Sequence, residues 1–438
     1  MMWRTCFVVL ACLLTLVTGA QAESPSAARV ESLLHEYVEG FFSPATDLAY
    51  GIRINGPRGI EVLESPAEIA AKRVRGEFKP WGYGAGIEDV AYQNGMLLFA
   101  LCDAEEATGN ACFAELARRI FRGMRRIGTL SPVPGFIPRG PHPDGKSYYP
   151  DSSRDQHTLF VCGLWRYARS RLASPSEKDW IREVTLQVVR RLEKNGWSIL
   201  SEDGSVEAHA GGSILSRTSA DAAILLLMLA TAYDLTGDAH WKSLYDQFGQ
   251  EEDGLRWRLL DEEIDPTQPG RWDLFSNQDA FRTETLRRAT ANAEHKTILR
   301  RRVVRMADDM LTSPYFLSWR RLPWTTPPDD AEANAFLKPL GLTVDSKATV
   351  MDLWQKAGVP AKSPDVPGRM RHRYDYMTMT SPFEAWQVAL LSQSPQRVRQ
   401  ARDGVCQMLQ RVDFGSLNSG WSTNYAMTAA LWALVPTR

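Results

Sequence analysis

Four side chains that can bind ligands or move protons stand together just before an apolar stretch: Arg154, Asp155, Gln156 and His157. Residues 151–153 (Asp-Ser-Ser) precede them, and each of these three can cap a helix. The four side chains would then lie in the first turn of a buried helix, where they need water, one another or a ligand. Either they complement the helix dipole and pair among themselves, or they form a binding or catalytic site.

Comparable groups of polar and aromatic residues stand at the starts of the other apolar stretches. Paired carboxylates supply proton chemistry, arginines and amides bind hydroxyl or carboxylate groups, and aromatic rings stack on sugar faces. This combination is typical of a carbohydrate site. The groups are Glu88 and Asp89; Ser216, Arg217, Ser219 and Asp221; Asn277, Gln278 and Asp279; Tyr374, Asp375, Tyr376 and Glu384; and Trp421, Asn424 and Tyr425.

Bringing these groups together requires a regular succession of helices. Amphipathic segments near residues 29, 111, 176, 239, 297 and 395 alternate with more apolar ones near 87, 153, 218, 277, 379 and 420. An apolar helix is buried, whereas one with a charged stripe faces solvent on that side. The alternation predicts an all-α protein, an (α/α)6 toroid whose six parallel inner helices begin around one cup. An irregular helical bundle and an open solenoid are the alternatives.

Two acids at the starts of the first long inner helices carry a resemblance to a known superfamily. With Asp89 in the stretch GIED and Asp155 in the stretch SRDQ, the chain resembles the six-hairpin glycosidases. It is most similar to the unsaturated glucuronyl and rhamnogalacturonyl hydrolases, although it has RDQH where these have a Trp-rich signature. The resemblance implies an (α/α)6 toroid that hydrolyses uronate-containing oligosaccharides by general acid/base catalysis.

In such a mechanism Asp155 would be the general acid, and Asp89 or Glu88 would be the second acid, which holds a water molecule. Asp221 is a further candidate acid, unless it is a first-turn acid satisfied by Ser219. The expected substrate-binding residues include arginines for an acidic sugar and aromatic rings for stacking. They are Arg154, Gln156, His157, Arg217, His209, Tyr374, Trp421, Asn424 and Tyr425.

Two other functions are compatible with the same residues. A polysaccharide lyase would abstract a proton with a tyrosine or histidine while an arginine or asparagine neutralises the uronate. His157, Tyr374, Tyr425, Arg154 and Asn424 are its candidate residues. A non-catalytic glycan-binding protein would instead use the acids only as helix caps.

The first residues predict export. A basic start, an apolar run and an Ala-Gln-Ala site predict a signal peptide over residues 1–22 that is cleaved after Ala22, with a secreted or periplasmic product. Residues 23–438 would form one domain with a loop-rich insertion at about 313–373, either a lid over the cup or a surface excursion. No further membrane segment is expected, and the near-equal numbers of basic and acidic residues, 51 and 52, argue against a nucleic-acid partner.

The remaining cysteines and histidines do not form a known metal motif. The sequence has no CxxC, no HExxH and no histidine pair at ligand spacing, so neither a metal nor a cofactor is expected. Cys102 and Cys112 flank a predicted turn between helices and would either form a disulfide or act as small buried hydrophobic residues. The expected partner is an oligosaccharide or polysaccharide, and the sequence does not indicate an oligomeric state.

Overall fold

The computed structural model describes residues 25–55, 60, 63, 65–70, 89–261, 276–312, 338, 383–411 and 420–436. The predicted signal peptide and nearly all of the predicted 313–373 insertion lie outside these residues. So do Glu88, Tyr374 and the side chain of Trp421.

The described chain is dominated by helices and contains only short strands. Helices and strands are numbered here in chain order. The helices are α1 (Ala27–Phe41), α2 (Pro66–Ala70), α3 (Val90–Thr108), α4 (Ala111–Leu130), α5 (Arg154–Ala168), α6 (Pro175–Lys194), α7 (Ser219–Thr236), α8 (Ala239–Asp261), α9 (Ser276–Ala289), α10 (Ala293–Thr312), α11 (383–391), α12 (Pro395–Arg411) and α13 (Gly420–Trp432). Three antiparallel pairs join β1 (Phe42–Ser43) to β2 (Leu48–Ala49), β3 (Gly140–Pro141) to β4 (Tyr148–Tyr149), and β5 (Ser198–Leu200) to β6 (Glu207–Ser213).

Helices buried all round alternate with helices buried on one face from α3 to α10, although α9, predicted to be more apolar, carries five charged residues and is buried through ion pairs. Every residue of α3 from Val90 to Glu105 is buried, whereas α4 buries only one face. The boundaries follow local signals: Ser174 and Glu177 form a capping box at the start of α6, and Gly237 in the left-handed region ends α7. The spacing of apolar residues along the sequence therefore predicted the helices, because that spacing decides which face of each helix is buried.

Three local features do not follow from helical periodicity. The stretch 196–217 contains the pair β5–β6, whose strand Glu207–Ser213 has no clear polar/apolar alternation. The pair β1–β2 at residues 42–49 forms a short hairpin directly after α1. Helix α8 reaches Asp261 through a non-helical kink at residues 251–254.

Contacts link the apolar helices in sequence order. Helix α3 packs on α5, α5 contacts α7, and α7 packs on α9. Asn277 Nδ2 of α9 donates to Gln387 Oε1 of α11 at 2.8 Å, and Gln387 Nε2 donates to the carbonyl of Tyr425 in α13 at 3.0 Å. Helix α13 packs in turn on α3. The amphipathic helices α4, α6, α8 and α10 each pack on the apolar helix that precedes them in the chain.

The apolar helices meet at their C-terminal ends. Asp103 near the end of α3 accepts from Arg166 of α5 at 2.6 Å, from Arg288 of α9 at 2.9 Å and from the indole of Trp432 in α13 at 3.2 Å. Just inside this network the rings of Phe99 and Phe281 pack edge to face at a centroid distance of 5.2 Å, and both contact Trp432. The centre between these helices is thus filled with aromatic side chains at this end.

One described helix, Ser219–Thr236, is long and apolar enough to cross a membrane by length and composition alone. In the structure 67% of that stretch is buried, and it packs between α6, α8 and α9. A buried core helix meets the same criterion.

The cysteines at the α3–α4 turn are not bridged. Cys102 and Cys112 are both free thiols, Cys102 buried in α3 and Cys112 half-buried at the start of α4. Cys162 is also a free, buried thiol. Of the two interpretations drawn from the sequence, the structure supports small buried side chains for Cys102 and Cys162.

Candidate active site

Buried Arg139 holds two acids, Asp89 at the start of α3 and Asp151 in the loop before α5. Arg139 Nε donates to Asp151 Oδ2 at 2.8 Å, and its Nη1 donates to Asp89 Oδ1 at 3.1 Å. The side chains of Arg139 and Asp151 are each 1% exposed, and that of Asp89 is 15% exposed. Arg139 also donates to the carbonyls of Ser152 and His209. One guanidinium thus fixes Asp89 relative to the loop that leads into α5.

Gln156 connects the first turns of α3 and α5. Its Nε2 donates to Asp89 Oδ1, while its Oε1 accepts the backbone N–H of Ala91 at 3.0 Å. Asp89 itself has a left-handed backbone, with φ of 66°. A non-glycine residue in this region is uncommon and marks a position that its surroundings over-determine. The fully buried Gln156 therefore positions a catalytic candidate.

Arg154 and Asp155 are adjacent in sequence but point to different helices. Arg154 Nη1 donates to Asp221 Oδ1 of α7 at 2.9 Å, and its Nε donates to the carbonyl of Gly211 at 2.8 Å. Asp221 also accepts from the hydroxyl of Thr218, the N-cap of α7, at 2.9 Å. The sequence suggested Ser219 as the partner of Asp221. In the structure the hydrogen-bond donors to its side chain are Thr218 and Arg154 instead.

Asp155 is the outermost member of a buried chain of charges. Arg282 Nη2 of α9 donates to Asp155 Oδ1 at 2.5 Å, and Arg302 of α10 binds Asp279 Oδ2 at 3.1 Å. Arg282 Nη1 lies 3.6 Å from Asp279 Oδ1 and so joins the Arg282–Asp155 pair to the Arg302–Asp279 pair. Burial would lower the pKa of Arg282, but Asp155 and Asp279 more than offset it, so this pKa is raised. The Asp155 side chain is 28% exposed, and Oδ2 has no hydrogen-bond donor among the described residues.

A hydrogen bond between two tyrosines joins α3 to α13. Tyr92 of α3 is fully buried, and its hydroxyl forms a hydrogen bond of 2.5 Å with the hydroxyl of Tyr425 in α13. Burial raises the pKa of Tyr92 well above its usual value, and the bond to Tyr425 acts in the opposite direction. The negative charges of Glu384, Asp155 and Asp89 raise this pKa further. These acids belong to α11, the first turn of α5 and the N-cap position of α3.

His157 is buried against the turn that leads into α5. Its ring is 2% exposed, and Nδ1 is 3.1 Å from both the hydroxyl of Ser152 and the carbonyl of Ser153. Burial lowers the pKa of His157 to about 4, and the positive charge of Arg191 acts in the same direction. The imidazole is therefore neutral at physiological pH and supports the turn that leads into α5.

The other predicted site residues are dispersed or buried. Arg217 is 70% exposed and pairs with Glu252 on the surface, so the structure does not place it with the acids. His209 is half-buried and contributes its backbone, whose N–H donates to Asp151 Oδ1 at 3.0 Å. Asn424 is fully buried and donates to the hydroxyl of Tyr37 at 3.1 Å and to the carbonyl of Gln93 at 3.2 Å.

Sequence reasoning missed three residues of this group: Tyr92, Arg139 and Arg282. Arg139 lies in a Pro/Gly-rich loop, and Arg282 lies two turns inside α9, so neither stands at a helix start. A buried arginine requires an acid as its partner, but α9 offers two acids within its own sequence, so no local pattern indicated a bond from Arg282 to Asp155. Comparison with known protein families and with curated proteins finds no match to this chain.

The chemistry available here is that of carboxylates. Gln156 brings Asp89 to the first turn of α5, which carries Asp155. Arg154 of the same turn pairs with Asp221. Ionised carboxylates accept hydrogen bonds and can transfer protons. Among the described residues, one group of three His, Cys, Asp or Glu ligand atoms lies within 4.8 Å, and it belongs to α1 and α4.

Proposed function

We propose that the chain is an (α/α)6 toroid. The succession of contacts from α3 through α5, α7, α9, α11 and α13 back to α3 supports this arrangement, with the amphipathic helices outside. The meeting of four C-terminal ends at Asp103, and of the first turns of α3 and α5 at Gln156, supports parallel inner helices. Such a ring directs the polar first turns of the inner helices to one face.

We further propose that this face is the active site of a glycoside hydrolase that acts on uronate-containing oligosaccharides. The observation that carries this proposal is the hydrogen bond from Gln156 to Asp89, which brings Asp89 to the first turn of α5, where Asp155 stands. Glu384 of α11 is the third acid, because its negative charge acts on Tyr92 together with those of Asp89 and Asp155.

Glycosidic bond cleavage requires two carboxyl groups, one to transfer a proton and one to activate water or attack. Asp155 is the best candidate for proton transfer because it is the most exposed of the three and Arg282 occupies only its Oδ1. Asp89, held by Arg139 and Gln156, is the second carboxylate.

The remaining residues define how a sugar would bind. Arg154, 35% exposed beside Asp155, is placed to bind a uronate, with Asp221 fixing its direction. The signal peptide and export remain part of the proposal, as does an oligosaccharide partner.

The lyase alternative is less well supported by the described residues, because two of its candidate bases, His157 and Tyr425, are buried and the hydroxyl of Tyr425 is bonded to Tyr92. Its third candidate base, Tyr374, lies outside the described residues.

The test is a screen of wild-type protein and Asp155→Asn on uronate-containing oligosaccharides. We expect the substitution to lower kcat by ~10²-fold or more, the usual contribution of a general acid or base, while substrate binding is retained. Reducing-end release and ultraviolet absorbance are measured together, because a hydrolase of unsaturated sugars removes absorbance whereas a lyase creates it.

The matched control is Asp179→Asn, in which an acid that is 67% exposed on α6 is changed in the same way. It should keep full turnover. Equal activity of Asp155→Asn and wild type would remove Asp155 from the mechanism. A protein that binds glycans without turning them over would be a non-catalytic binding protein.

A further inference from the structure

Three side chains that commonly bind metals meet between α1 and α4. Glu31 and His35 are four residues apart on α1 and therefore share one face of that helix. Cys112 is the second residue of α4. One ligand atom from each residue, a carboxylate oxygen, an imidazole nitrogen and the thiol sulfur, lies within 4.8 Å of the other two.

This cluster is separate from the candidate active site. Asp89 stands just before the first residue of α3, whereas Cys112 lies beyond Thr108, the last residue of that helix. Helix α3 has 19 residues, which at about 1.5 Å per residue separates its ends by about 28 Å. The cluster therefore cannot take part in the chemistry proposed for Asp155.

We propose that Glu31, His35 and Cys112 form a zinc-binding site. Thiolate, imidazole and carboxylate are the ligands that Zn²⁺ takes in proteins, whereas Mg²⁺ and Ca²⁺ prefer oxygen alone. Three protein ligands leave a fourth tetrahedral position for water. Glu31 and Cys112 are half-buried and His35 is exposed, so the ion can reach the site from solvent.

The surroundings of the cluster suit a cation. Asn110 Nδ2 donates to Glu31 Oε2 at 3.2 Å, and Asn110 Oδ1 caps the backbone N–H of Cys112 at 2.8 Å. Asn110 thus holds the carboxylate of Glu31 and, as the N-cap of α4, the backbone of Cys112. Zn²⁺ binds the thiolate form of cysteine, so binding would displace the thiol proton of Cys112.

The sequence did not predict this site because its ligands follow no metal motif. Cys112 lies far along the chain from Glu31 and His35. Only the packing of α4 beside α1 brings the sulfur to the other two ligands.

The experiment is a Co²⁺ and Zn²⁺ titration of the untagged, chelator-treated mature protein. We expect one equivalent of Co²⁺ to bind, with a thiolate-to-cobalt charge-transfer band and the intense visible bands of tetrahedral Co²⁺. Zn²⁺ should displace it and raise the Tm, because an ion that binds only the native state stabilises that state. Changes to outer-shell groups of metal sites cost ~10–100-fold in affinity, so loss of a ligand in His35→Ala or Cys112→Ser should cost ~100-fold or more.

The control is His240→Ala, which removes another exposed histidine that also has a glutamate partner, Glu193. It should bind Co²⁺ like the wild type. Absence of the charge-transfer band in the wild-type protein, or its persistence in Cys112→Ser, would overturn the proposal. Circular dichroism of each variant shows that lost binding is not lost folding.

Discussion

At the scale of single residues, direction around a helix decides which partner a side chain meets. Successive residues of an α-helix are rotated by roughly 100°, so Arg154 reaches Asp221 of α7 while Asp155 reaches Arg282 of α9. The proposed proton donor and the proposed uronate ligand are therefore neighbours in sequence but are held by different helices. Each can be changed without removing the ion-pair partner of the other.

His157 provides a residue-scale test through pH. Its pKa is about 4 in the native state because of burial, whereas the pKa of an unperturbed histidine is about 6.5. Between these values the unfolded chain binds a proton that the native state does not, so stability falls as pH falls. At about 1.4 kcal/mol per pH unit, this residue accounts for a loss of about 3 kcal/mol by pH 4.

Urea denaturation of wild type and His157→Gln from pH 7 to pH 4 measures this loss. The wild type should lose stability more steeply than the variant, even though the variant starts less stable. His240→Gln, which changes a histidine that is 49% exposed, should follow the wild-type slope. Parallel curves for wild type and His157→Gln would mean that His157 titrates normally in the native state.

At the scale of elements, two glycines set the distance between α3 and α5. A Cβ added to Gly95 would overlap the backbone carbonyl of Leu159, and one added to Gly163 would lie 2.6 Å from the carbonyl oxygen of Gly95. Backbone atoms cannot rotate away as a side chain can. The two helices that carry Asp89, Gln156 and Asp155 therefore keep their spacing only with glycine at both positions.

We expect Gly95→Ala to destabilise the protein by at least ~1–3 kcal/mol, the usual cost of overpacking a core. It should also lower activity in the fraction that folds, because the starts of α3 and α5 would separate. Gly196→Ala is the control: there is open space around that position, and its φ of 63° costs ~1–2 kcal/mol of local strain without moving a helix. Chemical denaturation and turnover measure the two effects. Wild-type stability in Gly95→Ala would contradict the close approach.

At the scale of the whole molecule, the network at Asp103 joins helices that are distant in sequence. Asp103 is buried, which alone would raise its pKa, but Arg288 and Arg166 lower the pKa below its usual value. Positive side chains in the last turns of α5 and α9 also complement the negative ends of these helices. The network therefore holds α3, α5, α9 and α13 together at the end away from the active site.

Asp103→Asn should lower the free energy of unfolding by ~1–3 kcal/mol, because it removes the acceptor shared by buried Arg166 and half-buried Arg288. Each of these arginines keeps one other acid as its partner. The exposed ion pair of Asp179 is the comparison, and Asp179→Asn should cost less than ~1 kcal/mol. Turnover per folded molecule should be unchanged, since Asp103 lies at the opposite end of α3 from Asp89. A variant as stable as wild type would show that the network does not hold the helices together.

The sequence by itself determined the helices, their alternation of burial and the polar character of their first turns. These features depend on local periodicity and capping, which neighbouring residues fix. It therefore identified Asp89, Asp155 and Asp221 as residues at helix starts. It could not determine partners, because a contact between distant segments depends on how helices pack. Only the tertiary structure decided that Arg282 pairs with Asp155, that Arg139 holds Asp89, that Arg217 faces solvent, and that Cys112 meets His35.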